Sequence, residues 1–346
     1  MNALFENIGI KAVTSYLPHD ILEMKTLSNL YGEKEVTNII KATGVESVHI
    51  ASSDETSSDL CYKAAEILLD KENFDRKYID GLVFVSQTTD YILPATSIIL
   101  QNRLNLSKET VCIDIHYGCS GYIYGLFQAA LWISAGSCKN VLVLSGDTSS
   151  RMIHPLDKSL RMVFGDAGTA TLVCKGNSSM GVCICSDGSG YDRLILPAGG
   201  FRLPKSEQTK ELIYDADNNG RTLENLYMDG MAIFNFAITN VHKNIQAVLE
   251  RIGWSKDDIS LFALHQANTF MVNYIRKKLK VEEEKVPVNV KNYGNTGPAT
   301  IPLLLSDVGG LAKPNKTILS GFGVGLSWGS IAINLAETNF YKPIIG

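Results

Sequence analysis

The same order of segments occurs twice along this chain. Residues 64–89, AAEILLDKENFDRKYIDGLVFVSQTT, run as helical spacing, acidic turn, apolar strand and polar loop, and residues 245–268, IQAVLERIGWSKDDISLFALHQAN, repeat that order. A second pair, CKNVLVLSGD at 138–147 and PNKTILSGFG at 314–323, leads each time through a Gly-rich turn into another strand, TATLVCKG or SIAINLAE. Strand-like runs at Gly81–Ser86, Val111–Ile115 and Val141–Leu144 alternate with helical stretches at Asp59–Leu69 and Gly121–Ser134, which is the α/β pattern. The simplest account is two similar βαβ-rich halves, 1–176 and 177–346. Between them, residues 197–220 are polar and rich in turn formers, and read as a long loop or lid.

Composition narrows the function classes. In 346 residues, 45% are hydrophobic and 20% charged, which fits a globular protein with a sizeable core. A formal charge of −4 offers no global attraction to nucleic acid or to an anionic membrane, so neither is expected as a partner. The first residues lack a cationic start followed by an apolar stretch, and no uncharged run reaches the ~18 apolar residues that span a bilayer. The expectation is a cytoplasmic protein. Seven scattered cysteines without CxxC spacing argue against a disulfide framework and against zinc, so no metal is expected. Cys183 and Cys185 would share one face of a strand and pack.

Three residues carry chemistry. In VCIDIHYGCSGYIYGLFQAALWIS, an apolar segment read as a buried strand gives way to a helix whose apolar positions recur from Ile123 to Ile133, with Gly118 and Gly121 permitting a tight turn. Cys119 therefore stands at a helix N-terminus, where free N–H groups and the macrodipole would lower its pKa and make it a nucleophile. His265 ends the apolar segment LFAL, the strand edge at which open α/β sheets place ligand chemistry. Asn295 lies in the Gly-rich loop NYGNTGPATIP, where its amide could donate to a developing oxyanion.

These residues and their surroundings carry a resemblance. GCSGYIYGL around Cys119, HQAN at 265–268, GNTGPATIP at 294–302 and GFGVGLSWGS at 321–330 resemble, in order, the motifs of β-ketoacyl-acyl-carrier-protein synthase III in the thiolase superfamily. SYLP near residue 15, ATGVESVHIA at 42–51 and FGDAGTATLV at 164–173 extend the likeness over nearly the whole chain. The resemblance implies a thiolase-like α/β fold, a layered α/β/α/β/α sandwich, and a homodimer. It implies that Cys119 is acylated by a thioester, and that His265 and Asn295 stabilise the charge formed as malonyl-acyl carrier protein loses carbon dioxide. It implies an oxyanion hole from the backbone N–H groups of Cys119 and Val324. Leu93, Lys158, Asn268, Phe270 and Gly323 would line the substrate path, and no cofactor would be needed beyond coenzyme A or carrier-protein thioesters. The basic run Arg276, Lys277, Lys278 and Lys280 would dock an acidic carrier protein.

Several positions depart from the family pattern. Asn38 and Ala42 stand where a tryptophan and an arginine usually hold coenzyme A, and Lys158 and Phe270 replace two further arginines. Lost stacking and lost guanidinium contacts weaken nucleotide binding, so a carrier-borne donor comes into question. His116 and Tyr117 replace small residues before the nucleophile, and Leu93 replaces a large aromatic that reaches across the family's dimer interface, leaving room for a longer or branched acyl chain. Thiolases need a second cysteine late in the chain, but none follows Cys185, and elongating synthases use two late histidines. Two rival readings stay open: acyl transfer from Cys119 to oxygen or nitrogen without decarboxylation, and a non-catalytic partner subunit. GFGVG read as a phosphate loop lacks a βαβ unit and a following acidic residue.

Overall fold

A computed structural model of the chain describes residues 1–312 and 314–346. Along the chain, the elements that frame the site are strands β1 (Asn2–Phe5) and β2 (Ile8–Leu17), helix α1 (Ser57–Lys71), strands β3 (Gly81–Val85) and β4 (Val111–Ile115), helix α2 (Gly121–Ser134), and strands β5 (Asn140–Asp147), β6 (Ala167–Lys175) and β7 (Met180–Ser186). They continue with helix α3 (Gly230–Ile252), strand β8 (Leu261–Leu264), helices α4 (Thr269–Leu279) and α5 (Thr300–Ala312), and strands β9 (Lys316–Gly323), β10 (Ser327–Asn334), β11 (Asn339–Phe340) and β12 (Ile344–Ile345).

Two sheets result. One has the order β11-β2-β6-β5-β3-β4, with β12 also on β2; the other has the order β1-β7-β10-β9-β8. The repeated segments adopt one plan: β3 runs parallel to β5, which is antiparallel to β6, and β8 runs parallel to β9, which is antiparallel to β10. The chain ends cross over. Asn2–Phe5 pairs with β7 in the second sheet, and Asn339–Phe340 and Ile344–Ile345 pair with β2 in the first.

Helix α2 is apolar nearly all round, as suits a helix packed between two sheets, and among its large apolar residues Leu131 is exposed. It lies with α5 between the sheets, where Tyr122, Ile123, Leu126, Ala130, Ile301 and Leu304 meet Val83, Val141 and Val143 of one sheet and Val182, Leu319 and Ile331 of the other. The alternate residues of β5, Leu142 and Leu144, face outward onto Leu60, Ala64 and Leu68 of α1. A strand covered on both faces reads as a continuous apolar run, which is why β5 does. Helices α3 and α4 cover the outer face of the second sheet. The layers are α/β/α/β/α.

VCIDI is a correction to the sequence reading. The strand is there, but it is the free edge of its sheet, with Val111 43% and Ile113 37% exposed. Residues 197–220 form a polar loop carrying only short helical turns and two-residue strands. No helix among the described residues is long and apolar enough to cross a membrane. The seven cysteines are free thiols, and Cys183, buried, accepts a hydrogen bond from the amide of Asn244 at 3.1 Å.

Candidate active site

Three distant segments converge where the two sheets meet. The turn that carries Cys119 follows β4: Tyr117 N–H returns to the Ile115 carbonyl at 3.0 Å, and Gly121 N–H closes on the Gly118 carbonyl at 2.7 Å. Cys119 sits in that turn, 7% exposed, just before α2. The end of β9 passes so close that a Cβ at Gly323 would come 2.8 Å from Cys119 Cβ and 3.1 Å from its sulfur, so only glycine leaves the thiol its space. The Ser120 hydroxyl meets the Ser327 hydroxyl at 2.6 Å, and Ser327 donates to the Val324 carbonyl at 2.7 Å. The two backbone segments expected to form an oxyanion hole are thereby tied together.

The expected low pKa of Cys119 is not found. Burial, with the nearby carboxyl of Asp147, pushes the thiol up to about 12, against smaller opposing contributions that include the Asn295 amide. Removal from water disfavours an anion more than the helix start favours it. The resting sulfur is a protonated thiol.

His265 directly follows β8, its N–H bonded to the Ser320 carbonyl of β9 at 2.8 Å. It is 2% exposed, its ring set edge-on to Phe322 at 5.3 Å between centroids. Burial lowers its pKa to about 3, so the imidazole is neutral. Nδ1 lies 2.7 Å from the Thr300 hydroxyl.

Asn295 is held by its backbone, which exchanges bonds with Val163 (N–H to carbonyl, 2.8 Å) and Gly165 (carbonyl to N–H, 3.1 Å) in the VFGDAG segment, residues 163–168. Its side-chain oxygen accepts the Gly297 N–H at 3.0 Å, which turns the amide nitrogen toward the Cys119 sulfur. Gly297 adopts a φ of +61°, and a Cβ there would lie 2.7 Å from Asp147 Oδ2. Asp147 is fully buried; Ser86, the Gln87 N–H and Thr88 donate to its Oδ1, and burial raises its pKa to about 7.

Cys119, His265, Asn295 and Gly323 line one cavity of 190 Å³ that runs outward past Asn268, Met271, Ser159 and Thr43. Cys119 also borders a second cavity of 650 Å³, whose wall includes Val324, Phe164, Leu194, His116, Ile92 and the loop at Ala198–Gly200. The sulfur thus stands between a narrow channel and a larger, mainly apolar chamber.

The remaining sequence-derived residues fall at varied distances. Asn268 borders the channel, but its side-chain oxygen caps α4 by accepting the Met271 N–H at 2.8 Å. Phe270 is 58% exposed and stacks on Phe234 at 5.4 Å. Lys158 donates to the Asp217 carbonyl at 2.7 Å and lies 3.5 Å from Glu35, while its neighbour Ser159 borders the channel instead. Leu93 is 83% exposed; the neighbouring Ile92 borders the chamber. Arg276 pairs with Glu283 at 3.3 Å, and Lys277, Lys278 and Lys280 occupy the far end of α4, roughly 10 Å along its axis from the channel. Ser327, Thr300 and Asp147 were not singled out by the sequence; each acts through a hydrogen bond to a residue remote in the chain. Among the described residues, no group of three His, Cys, Asp or Glu side chains is arranged to hold a metal.

Comparison with known proteins identifies the family. Residues 113–188 match the family described as 3-oxoacyl-[acyl-carrier-protein (ACP)] synthase III, and residues 249–335 match its C-terminal region. The chain is 35% identical over 342 residues to a putative 3-oxoacyl-[acyl-carrier-protein] synthase 3 of Campylobacter jejuni, covering 97% of this chain and 96% of the relative. It is 34% identical to the β-ketoacyl-[acyl-carrier-protein] synthase III of Caldanaerobacter subterraneus, over 95% of this chain and 98% of the relative. A crystal structure of a 3-oxoacyl-(acyl-carrier-protein) synthase III superposes with a TM-score of 0.91 at 37% identity, covering 95% of this chain and 99% of that one. The 3-oxoacyl-(acyl-carrier protein) synthase of Burkholderia xenovorans gives 0.92 at 35% identity, covering 100% of this chain and 99% of that one. With its twice-used sheet plan and its cysteine, histidine and asparagine on one channel, the chain belongs to the β-ketoacyl-acyl-carrier-protein synthase III family of the thiolase superfamily.

Proposed function

We propose that this protein is an acyl-transferring condensing enzyme, which joins an acyl thioester to malonyl-acyl carrier protein with loss of carbon dioxide through an acyl-Cys119 intermediate. The observation that carries the reading is the convergence of Cys119, His265 and Asn295 on one channel in a chain of this family. In the first half-reaction, the Cys119 sulfur bonds to the acyl carbon, the donor's carbon–sulfur bond breaks, and the thiol proton leaves with the departing sulfur. In the second, the malonyl carbon–carboxyl bond breaks and its electron pair forms an enolate. The enolate oxygen is held by Nε2–H of His265 and the amide of Asn295, neutral donors already in place and shielded from water. The enolate carbon then attacks the acyl carbonyl, Cys119 departs, and the sulfur regains a proton.

The 650 Å³ chamber beside Cys119 supports an acyl group longer than acetyl. Lys158 tied to Asp217 and Glu35, with Phe270 exposed on α4, supports a donor delivered on a carrier protein, which the exposed lysines of α4 would attract. The exposed apolar edge of β4 and the projecting Tyr91–Leu93 support a homodimer.

Intact-mass measurement with a panel of acyl donors tests the division of roles. Cys119→Ala is expected to take up no acyl group, whereas Asn295→Ala acylates normally and condenses roughly 10² to 10³ times more slowly, as loss of an oxyanion donor does. Equal loss of both half-reactions in Asn295→Ala contradicts the assignment. Acyl transfer to an oxygen or nitrogen nucleophile without carbon dioxide would establish the rival acyltransferase. No acylation with any donor would leave a non-catalytic subunit.

A further inference from the structure

The condensing role proposed for His265 requires a proton on Nε2, yet a neutral imidazole carries only one ring proton and can hold it on either nitrogen. The partner of the other nitrogen decides which. Here that partner is the hydroxyl of Thr300, buried at 2% exposure in the first turn of α5, with Oγ1 2.7 Å from Nδ1. The same Oγ1 lies 3.1 Å from the Gly297 carbonyl, and one hydroxyl proton cannot serve both acceptors fully.

Two observations favour donation to Nδ1. The Gly297 carbonyl already accepts the backbone N–H of Thr300, so it is satisfied without the hydroxyl. Nδ1 belongs to a buried, desolvated ring, and Thr300 Oγ1 lies closer to it, at 2.7 Å, than to the Gly297 carbonyl at 3.1 Å. We propose that Thr300 is a positioning residue that donates its hydroxyl proton to Nδ1 of His265, and so keeps the ring proton on Nε2, the nitrogen left for the channel. The inference rests on the condensing role of His265.

The loop that carries Thr300 also aims the second donor. Gly297 N–H fixes the Asn295 side-chain oxygen and turns the amide nitrogen inward, and Thr300 follows three residues later. A single turn, Asn295–Thr300, thus orients both groups that meet the enolate oxygen. The opposite arrangement, with Nδ1–H donating to Thr300 and Thr300 to Gly297, would leave Nε2 bare and make His265 a base for the Cys119 thiol.

Long-range ¹H–¹⁵N spectra of the resting protein with ¹⁵N-labelled histidine, at neutral pH and without substrate, separate the two. The His265 signals are assigned by their loss in His265→Gln. The expected spectrum has an unprotonated Nδ1 and a protonated Nε2, in both the native protein and Thr300→Ser. Thr300→Val, which keeps the volume and deletes the hydroxyl, should shift that population and slow condensation roughly tenfold to hundredfold, as loss of a group orienting a functional histidine does. Its acylation should fall far less, and Thr300→Ser should restore condensation. A proton on Nδ1 of the native protein overturns the proposal even if condensation is observed. Retention of both the Nε2–H signal and full condensation in Thr300→Val overturns it as well. The native spectrum decides the question if Thr300→Val does not fold, and no outcome of the tautomer measurement depends on which acyl chain the protein accepts.

Discussion

At the scale of single residues, the site is built from neutral groups in the dark of the interior. Burial drives the Cys119 thiol up to about 12 and the His265 imidazole down to about 3, so neither ion exists at rest. Asp147 is the exception whose charge depends on pH. Its pKa rises from 3.8 to about 7 on burial, so between those values the native protein holds a proton that the unfolded chain has released. Stability due to this group therefore falls as pH rises through that window, and the ionised carboxylate is a cost above it. Asn at 147 would keep an oxygen for Ser86, Gln87 and Thr88. Compared by urea unfolding at pH 5 and pH 8, Asp147→Asn is expected to lose part of the native protein's decline, and an unchanged difference between the two pH values would contradict the raised pKa. A second expectation concerns space: Gly323→Ala drives a methyl group against Cys119 and should slow acylation by on the order of 10², with a destabilisation of about 1–3 kcal/mol from the overpacking, read by chemical denaturation. The sequence pointed to Cys119, His265 and Asn295 because each stands beside a strongly patterned segment, and the structure brings all three to one channel. The thiol's raised pKa was not legible there, because it depends on Asp147 and on burial set by both sheets.

Among the elements, α2 illustrates what local pattern reveals. Its apolar residues span the whole circumference, and the helix occupies Gly121–Ser134 as its spacing predicts. Helix α1 begins two residues earlier than its apolar spacing predicts because Thr56 caps it: Thr56 and Asp59 bond reciprocally through side chain and backbone. Thr56→Ala is expected to cost about 1 kcal/mol in chemical denaturation, the usual worth of such a cap. The misreading of VCIDI has an equally local cause. An apolar strand at a free edge has the same composition as a buried one, and only the sheet order tells them apart.

For the molecule as a whole, internal repetition made the two-sheet plan legible. The exchange of terminal strands was not, since Asn2–Phe5 finds its partner in Met180–Ser186 and no short-range pattern encodes that pairing. The free apolar edge at β4 belongs to this scale too. Ile113→Lys is expected to convert a dimer to monomers in sedimentation velocity, and an unaltered species would place the interface elsewhere. Whether the assembled site condenses is read most directly by following carbon dioxide from carboxyl-labelled malonyl-acyl carrier protein, added to enzyme whose Cys119 has been acylated and freed of donor. The account predicts one carbon dioxide released for each acyl group that leaves Cys119, with that group recovered as a 3-oxoacyl chain on the carrier. Acyl groups that leave Cys119 while the malonyl label stays on the carrier would contradict it.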